Sequence, residues 1–157
     1  MVPQNFRVLI DNYALNAALL SWLLAQVLKV VFTFAMTKKF DAERLFGSGG
    51  MPSAHSALSC ALTIAISRMC GVRSAEFAIA FVFTCIVMYD AVGVRRQAGK
   101  HAAALNRLLD RKEDEPEEEP DDEENEQAEF KELLGHTPLQ VLSGALLGIL
   151  VAMILPA

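Results

Sequence analysis

Residues 49–70 read GGMPSAHSALSCALTIAISRMC, a glycine-rich loop that leads into a long run of small and apolar side chains. The run from Ser53 to Cys70 is close to the length that an α-helix needs to cross the hydrocarbon of a bilayer. A histidine, His55, stands at its start. The stretch therefore predicts a membrane helix with a polar side chain at its N-terminus.

Three further apolar runs have the same character and cover residues 14–36, 77–94 and 138–155. A soluble bundle with four buried helices is the alternative, but runs this long with so few charges are unusual in soluble cores. The chain has 157 residues, of which 53% are hydrophobic. We therefore predict one all-α domain over residues 1–157, an integral membrane bundle of four transmembrane helices.

The charge is unevenly distributed along the chain. Residues 110–132 contain fourteen acidic and three basic residues, a net charge of -11, which leaves +6 on the remainder. Such a proline-punctuated acidic segment does not bury enough apolar surface to fold alone. We predict a flexible acidic loop, and a solvated spacer is favoured over a binding role for a cation or a partner.

The basic residues near the span ends predict the orientation of the bundle. Four spans place the loops 37–52 and 95–137 on one side, and both termini and the turn near Gly71 on the other. More lysines and arginines border the spans on the first side, so that side is predicted to be cytoplasmic. A short interfacial helix is expected near residues 2–12 or 96–111. We expect an integral protein of a bacterial plasma membrane.

Lys29 is the charged residue of the first span, and a charged side chain inside a membrane has a high free-energy cost. One interpretation is that its side chain snorkels to the cytoplasmic interface. The other is that it points into a polar interior, because Gln26 and Thr33 share its helical face. The sequence leaves both interpretations open.

Several polar groups fall at the predicted cytoplasmic ends of the spans. His55 begins the second span, His136 begins the fourth, and Asp90 ends the third. The same region contains the cations Arg95, Arg96 and Lys100 and the backbone amides near Gly50. Arginine side chains and the amides of helix starts bind phosphate oxygens. This pattern predicts a pocket for a phosphorylated membrane lipid.

No cofactor, metal site or nucleic-acid partner is predicted. The three cysteines, Cys60, Cys70 and Cys85, have no paired spacing and no histidine cluster beside them. Four helices are few for enclosing a lipid phosphate, so a homodimer could complete the pocket.

The motifs GGMPSAHSA, YDAVGVRRQAGKHA and LGHTPLQVLSGALLGI, in this order, resemble a divergent membrane branch of the type 2 phosphatidic acid phosphatase superfamily. That superfamily also includes the vanadium haloperoxidases, and the resemblance covers nearly the whole chain outside the acidic loop. It implies a helical core of that type and a metal-independent phosphatase that acts through a phosphohistidine.

The resemblance also implies roles for individual residues. His136 would be the nucleophile and His55 the general acid, while Ser53 and the amides near Gly50 would hold phosphate oxygens. Other roles are our own inference and not part of the family's pattern. Asp90 could orient a histidine, and the substrate-binding cations would be Lys29, Arg95, Arg96 and Lys100, with Gln140 beside the substrate.

The chain departs from the family pattern at two positions near His136. Gln140 stands where the superfamily has an acidic residue, and Phe130 stands where it has an arginine. Arg95 and Arg96 could replace that arginine. These departures leave a second function open, a non-catalytic module of the same fold that binds or transports lipid headgroups.

Overall fold

The computed structural model describes residues 11–38, 50–113 and 135–156, and this part of the chain folds entirely into α-helices joined by short segments. The predicted all-α class is therefore confirmed. The helices, in chain order, are α1 (Tyr13–Thr37), α2 (Ala54–Cys70), α3 (Ala75–Val92), α4 (Val94–Glu113) and α5 (Pro138–Ile154).

Local sequence signals set the helix boundaries. The side chains of Asn12, Ser53 and Ser74 accept hydrogen bonds from the backbone N–H three residues later, which caps the starts of α1, α2 and α3. Gly71, with a φ of 81°, ends α2 in a conformation that other residues rarely adopt. Gly93 separates α3 from α4.

Helix α2 lies at the centre of the bundle and packs against α1, α3 and α5. At one end of the bundle the Ser53 N–H donates to the carbonyl of Gln140 at 2.9 Å, so α2 and α5 begin side by side. At the other end the Tyr13 hydroxyl donates to the carbonyl of Ala152 at 2.6 Å. The Arg68 guanidinium also donates to the Leu155 carbonyl at 2.8 Å, which helps to close the end of α5.

The interior of the bundle is made of small side chains. Alanines fill the contacts between α1, α2 and α5, and the largest side chains that are completely buried are four serines: Ser21, Ser53, Ser56 and Ser59. Small residues let helix backbones approach closely, which is the usual packing of helices in membranes. Threonine hydroxyls add a polar link between α2 and α3, where Thr63 and Thr84 are hydrogen-bonded at 2.8 Å.

Large apolar side chains cover the outside of the bundle. Exposed examples lie on α1, α3 and α5, among them Val31, Ile86 and Ile154. Two helical stretches, Tyr13–Ala35 and Ala75–Leu108, are long and apolar enough to cross a membrane, whereas α2 and α5 have 17 residues each. The outward placement of leucine, isoleucine and phenylalanine suits a lipid surround. The four-span arrangement stays a prediction.

The observed helices differ from the predicted spans by one or two residues at their ends. Helix α4 confirms the helix expected near residues 96–111. The alternative location near residues 2–12 falls almost wholly outside the described residues. Most of the predicted acidic loop, from residue 114 onward, also lies outside them.

The contact between α2 and α5 depends on two glycines of α5. A Cβ atom at Gly144 would collide with the Ser53 carbonyl oxygen, and one at Gly148 would collide with the Ala57 carbonyl oxygen. The G-x-x-x-G spacing of these two glycines thus allows the backbones of α2 and α5 to approach closely.

We expect Gly148→Ala to destabilise the protein. Alanine is favoured over glycine within a helix by up to about 1 kcal/mol, but the new methyl group meets backbone that cannot rotate away. A net loss of about 1–3 kcal/mol is expected from overpacking, seen as a lower midpoint of thermal unfolding in detergent. Leu146→Ala, at an exposed position of the same helix, is the control. Equal midpoints for the two variants would contradict the close contact.

Candidate functional site

A small cavity opens where the end of α3 meets the starts of α2, α4 and α5. Its volume is about 80 Å³, enough for several water molecules. His55 stands exposed at the first turn of α2, while His136, just before α5, is only 6% exposed. The cavity is lined by His55, Val87, Asp90, Ala91, Arg95, Gly135 and His136. The structure thus brings together both predicted histidines, the predicted carboxylate and one predicted arginine.

Gly135 and the backbone of His136 fix the start of α5 against the junction of α3 and α4. The His136 N–H donates to the Ala91 carbonyl at 3.0 Å. Gly135 has a φ of 94°, and a Cβ atom there would collide with the backbone of Arg96. Only glycine fits so close an approach in this conformation. His136 is therefore positioned by the main chain as well as by its own side chain.

Gln140 fixes the ring of His136 through a helix cap. Its Oε1 accepts the Thr137 N–H at 2.9 Å, and the Thr137 side chain in turn accepts the Gln140 N–H, which makes a capping box at the start of α5. The same Oε1 lies 3.3 Å from His136 Nδ1.

This arrangement selects one tautomer of the imidazole. Because the backbone N–H needs an acceptor, the capping box turns the amide oxygen of Gln140, not its nitrogen, toward Thr137. An amide oxygen only accepts hydrogen bonds, so Nδ1 of His136 must carry the proton. The lone pair is then on Nε2.

The surroundings of His136 also favour its neutral form. Burial lowers the pKa of this imidazole below its ordinary value of 6.5, and the charges of Lys29, His55 and Arg95 lower that pKa further. The hydrogen bond to Gln140 acts in the opposite direction. At neutral pH the ring is therefore uncharged.

Asp90 and Arg95 form an ion pair at the edge of the cavity. Arg95 Nε donates to Asp90 Oδ2 at 2.5 Å, and both side chains are partly exposed to solvent. The carboxylate thus fixes the position of the guanidinium. Because both side chains are exposed, the pair contributes at most about 1 kcal/mol to the free energy of unfolding. The predicted catalytic role of Asp90 stays a prediction.

Lys29 lies inside the bundle. Its side chain is 3% exposed and runs beneath Gly50, where a Cβ atom would come within 2.9 Å of Lys29 Cγ. Its positive charge contributes to the lowered pKa of His136. Of the two interpretations of Lys29, the polar interior agrees with the structure.

The remaining predicted residues do not line the cavity. Ser53 is completely buried, and its hydroxyl oxygen accepts from Ser56 as the cap of α2. The oxygen of Gln140 is used by Thr137 and His136. Arg96 and Lys100 are exposed on α4. The substrate-binding roles of Gly50, Ser53, Gln140, Arg96 and Lys100 stay predictions.

The sequence did not predict four parts of this site: the cavity-lining residues Val87, Ala91 and Gly135, and the capping role of Thr137. A signal existed for Thr137, because T-x-x-Q immediately before an apolar run is the signature of a capping box. The glycine directly before His136 was a weaker signal. Nothing in the sequence marks Val87 or Ala91, which reach the cavity through helix packing.

Comparisons with known proteins show the family to which the chain belongs. The family model described as "Divergent PAP2 family" matches residues 10–151. The chain belongs to this family. It is 40% identical over 151 residues to a Bacillus subtilis (strain 168) protein named "Uncharacterized membrane protein YuiD", a match that covers 94% of this chain and 96% of the relative. No solved structure matches the chain. The predicted family and membrane character are thereby confirmed.

Nitrogen NMR of the protein labelled with ¹⁵N at histidine tests the tautomer of His136. We expect His136 to carry its proton on Nδ1 at neutral pH. Gln140→Ala removes the acceptor and one of the two hydrogen bonds of the capping box, and is expected to give a mixture of tautomers and a stability loss of about 1 kcal/mol. Gln140→Glu retains the capping box and raises the pKa of His136. An Nε2-protonated ring in the wild type would contradict the assignment.

The depressed pKa of His136 also predicts how stability depends on pH. The unfolded chain binds a proton at this residue near pH 6.5, whereas the folded chain does so only at lower pH, so the unfolded state holds more protons between the two values. Stability from this source is present above pH 6.5 and is lost as the pH falls below it. Thermal midpoints should drop on acidification, and the drop should be smaller in His136→Gln. An equal drop in both proteins would contradict the shift.

Proposed function

We propose that this protein is a phosphatase that hydrolyses the phosphate monoester or diphosphate of a membrane lipid through a phosphohistidine on His136. The observation that carries the proposal is the hydrogen bond from His136 Nδ1 to Gln140, which leaves the lone pair of Nε2 free for attack. His55 lines the same small cavity and supplies a second titratable group.

The reaction would have two steps. In the first, Nε2 of His136 forms a bond to phosphorus, and the bond from phosphorus to the lipid oxygen breaks. His55, which the negative charge of the bound phosphate would keep protonated beside the nearby cations, gives its proton to that oxygen. In the second, neutral His55 takes a proton from water, the water oxygen bonds to phosphorus, and the phosphorus–nitrogen bond breaks. Inorganic phosphate leaves, and both histidines return to their starting states.

The charges around the cavity suit this chemistry. Arg95 lines it, and Lys29 lies near enough to affect the pKa of His136. Two cations would stabilise the negative charge that gathers on the phosphate oxygens during transfer. Their field, with burial, also keeps His136 unprotonated, which a nucleophile requires.

A lipid is the favoured substrate class because of where the cavity lies. It opens at the end of α3, a helix long and apolar enough to belong to a membrane span, and the outer surfaces of α3 and α5 carry exposed apolar side chains. A phosphate in the cavity would therefore sit at headgroup depth with its chains beside those surfaces. Water-soluble phosphate esters that lack lipid chains should be poorer substrates.

One observation favours the second candidate, a module that binds or transports lipid headgroups without turnover. Gln140 is neutral, so it orients the ring of His136 but does not stabilise a positive charge on it as a carboxylate would. A family member that only binds phosphate would still use Arg95 and Lys29 and would not need a nucleophile.

The test is phosphate release by the purified full-length protein in lipid micelles, with a chelator present. The substrates are phosphatidic acid and a long-chain prenyl diphosphate. We expect turnover by the wild type and a loss of about 100-fold or more in His136→Ala and in His55→Ala. His101→Ala is the matched control, because His101 is exposed on α4 and does not line the cavity.

Three results separate the two functions. Acid-labile phosphate on His136 after a short reaction supports the enzyme. Wild-type activity retained in His136→Ala overturns the assignment of the nucleophile. Binding of phosphatidic acid by the wild type with no release of phosphate from either substrate favours the binding module.

A further inference from the structure

Helix α4 leaves the bundle and presents most of its surface outward. It begins directly after Gly93 at the end of α3, and of the helices that the structure describes only α3 packs against it. Its residues are strongly polar on average but are not evenly mixed around the helix. Three faces can be distinguished from the exposure of its side chains.

One face is cationic. Arg96, Lys100 and Arg107 are all exposed and are spaced by four and seven residues. At about 100° per residue they fall within a sector of roughly 40°, so they form a single stripe. We call these three residues the basic stripe.

A second face is apolar and exposed. Val94, Leu105 and Leu108 have 66%, 47% and 59% of their surface exposed. They fall within a sector of roughly 60° that lies about 80° around the helix from the basic stripe and also holds the exposed His101. The third face is buried and includes Ala102 and Asn106. The exposed apolar face is therefore not the side on which α4 packs against the protein.

An exposed apolar face and a separate cationic stripe on one helix are the pattern of helices that lie in a membrane interface. The apolar side chains enter the boundary between headgroups and acyl chains, and the cations meet lipid phosphates. The position of α4 fits this, because it follows the apolar helix α3 directly and forms the strongly polar second half of the membrane-span candidate Ala75–Leu108. A soluble acidic partner would account for the basic stripe but not for the exposed leucines beside it.

We propose that α4 binds the anionic phospholipids of the leaflet in which α3 ends. The basic stripe contacts their phosphates, while Val94, Leu105 and Leu108 lie among the upper acyl chains. Arg95, in the first turn of the same helix, lines the cavity with His55 and His136. Binding of anionic lipid by α4 therefore holds the mouth of that cavity at the level of the headgroups.

This inference is independent of catalysis and can be tested without an activity. The full-length protein carries a fluorophore at Ala104→Cys, an exposed position between the basic stripe and the apolar face, in a background with Cys60→Ala, Cys70→Ala and Cys85→Ala. It is reconstituted in vesicles of phosphatidylcholine with a minority of phosphatidylglycerol. Bromine atoms on the acyl chains of one lipid or the other quench the fluorophore when that lipid is adjacent.

We expect quenching to show a preference for phosphatidylglycerol over phosphatidylcholine of about five-fold or more, given the attraction of each cation to an anionic surface. The triple change R96Q/K100Q/R107Q should remove the preference, and high salt should weaken it. R96K/R107K retains the charges and should keep it. Arg73→Gln, an exposed arginine in the turn between α2 and α3, is the control at the opposite end of the bundle.

Two outcomes would overturn the proposal. Equal quenching by both brominated lipids in the wild type would mean that α4 lies in the membrane without selecting charge. No quenching by either lipid would mean that α4 does not touch the membrane. The thermal midpoint of the triple variant, measured in the same vesicles, should match that of the wild type, because the three cations are exposed.

Discussion

The direct contact between the backbones of α2 and α5 is the constraint on which the other features depend. It exists because Gly144 and Gly148 have no side chain to hold the helices apart, and because α2 offers serine and alanine at the facing positions. The hydrogen bond from the Ser53 N–H to the Gln140 carbonyl joins the two helix starts. A separation of even one methyl group would move the start of α5 away from α2.

This close approach also positions the candidate site. With α5 pressed against α2, the residues before Pro138 reach the end of α3, where the Ala91 carbonyl accepts the His136 N–H. His55 comes from the first turn of α2, and Arg95 comes from the first turn of α4. Four helix ends therefore meet at a cavity that none of them forms alone. The core of small residues allows this convergence because it keeps the bundle narrow.

Gln140 shows how a helix cap and a buried histidine can share one side chain. Its amide oxygen completes the capping box and also holds the proton-bearing nitrogen of His136. The same position carries an acidic residue in the superfamily that the chain resembles. Glutamine preserves the orientation of the ring but contributes no charge, so the electrostatic environment of His136 is set by burial and by nearby cations instead.

The sequence by itself determined the helical class, the membrane character, the family and the side of the bundle on which the polar residues gather. Those properties follow from long apolar runs, from caps such as Ser53 and from motifs that can be read residue by residue. It also predicted His55, Asp90, Arg95 and His136 at one end, because they flank the runs. Only the tertiary structure decided that Lys29 is buried beneath Gly50 and that Asp90 pairs with Arg95. It also decided that Arg96 and Lys100 face outward and that Val87 and Ala91 line the cavity. These outcomes depend on the rotation of each helix about its axis, which is fixed by contacts between residues far apart in the chain and leaves no local pattern in the sequence.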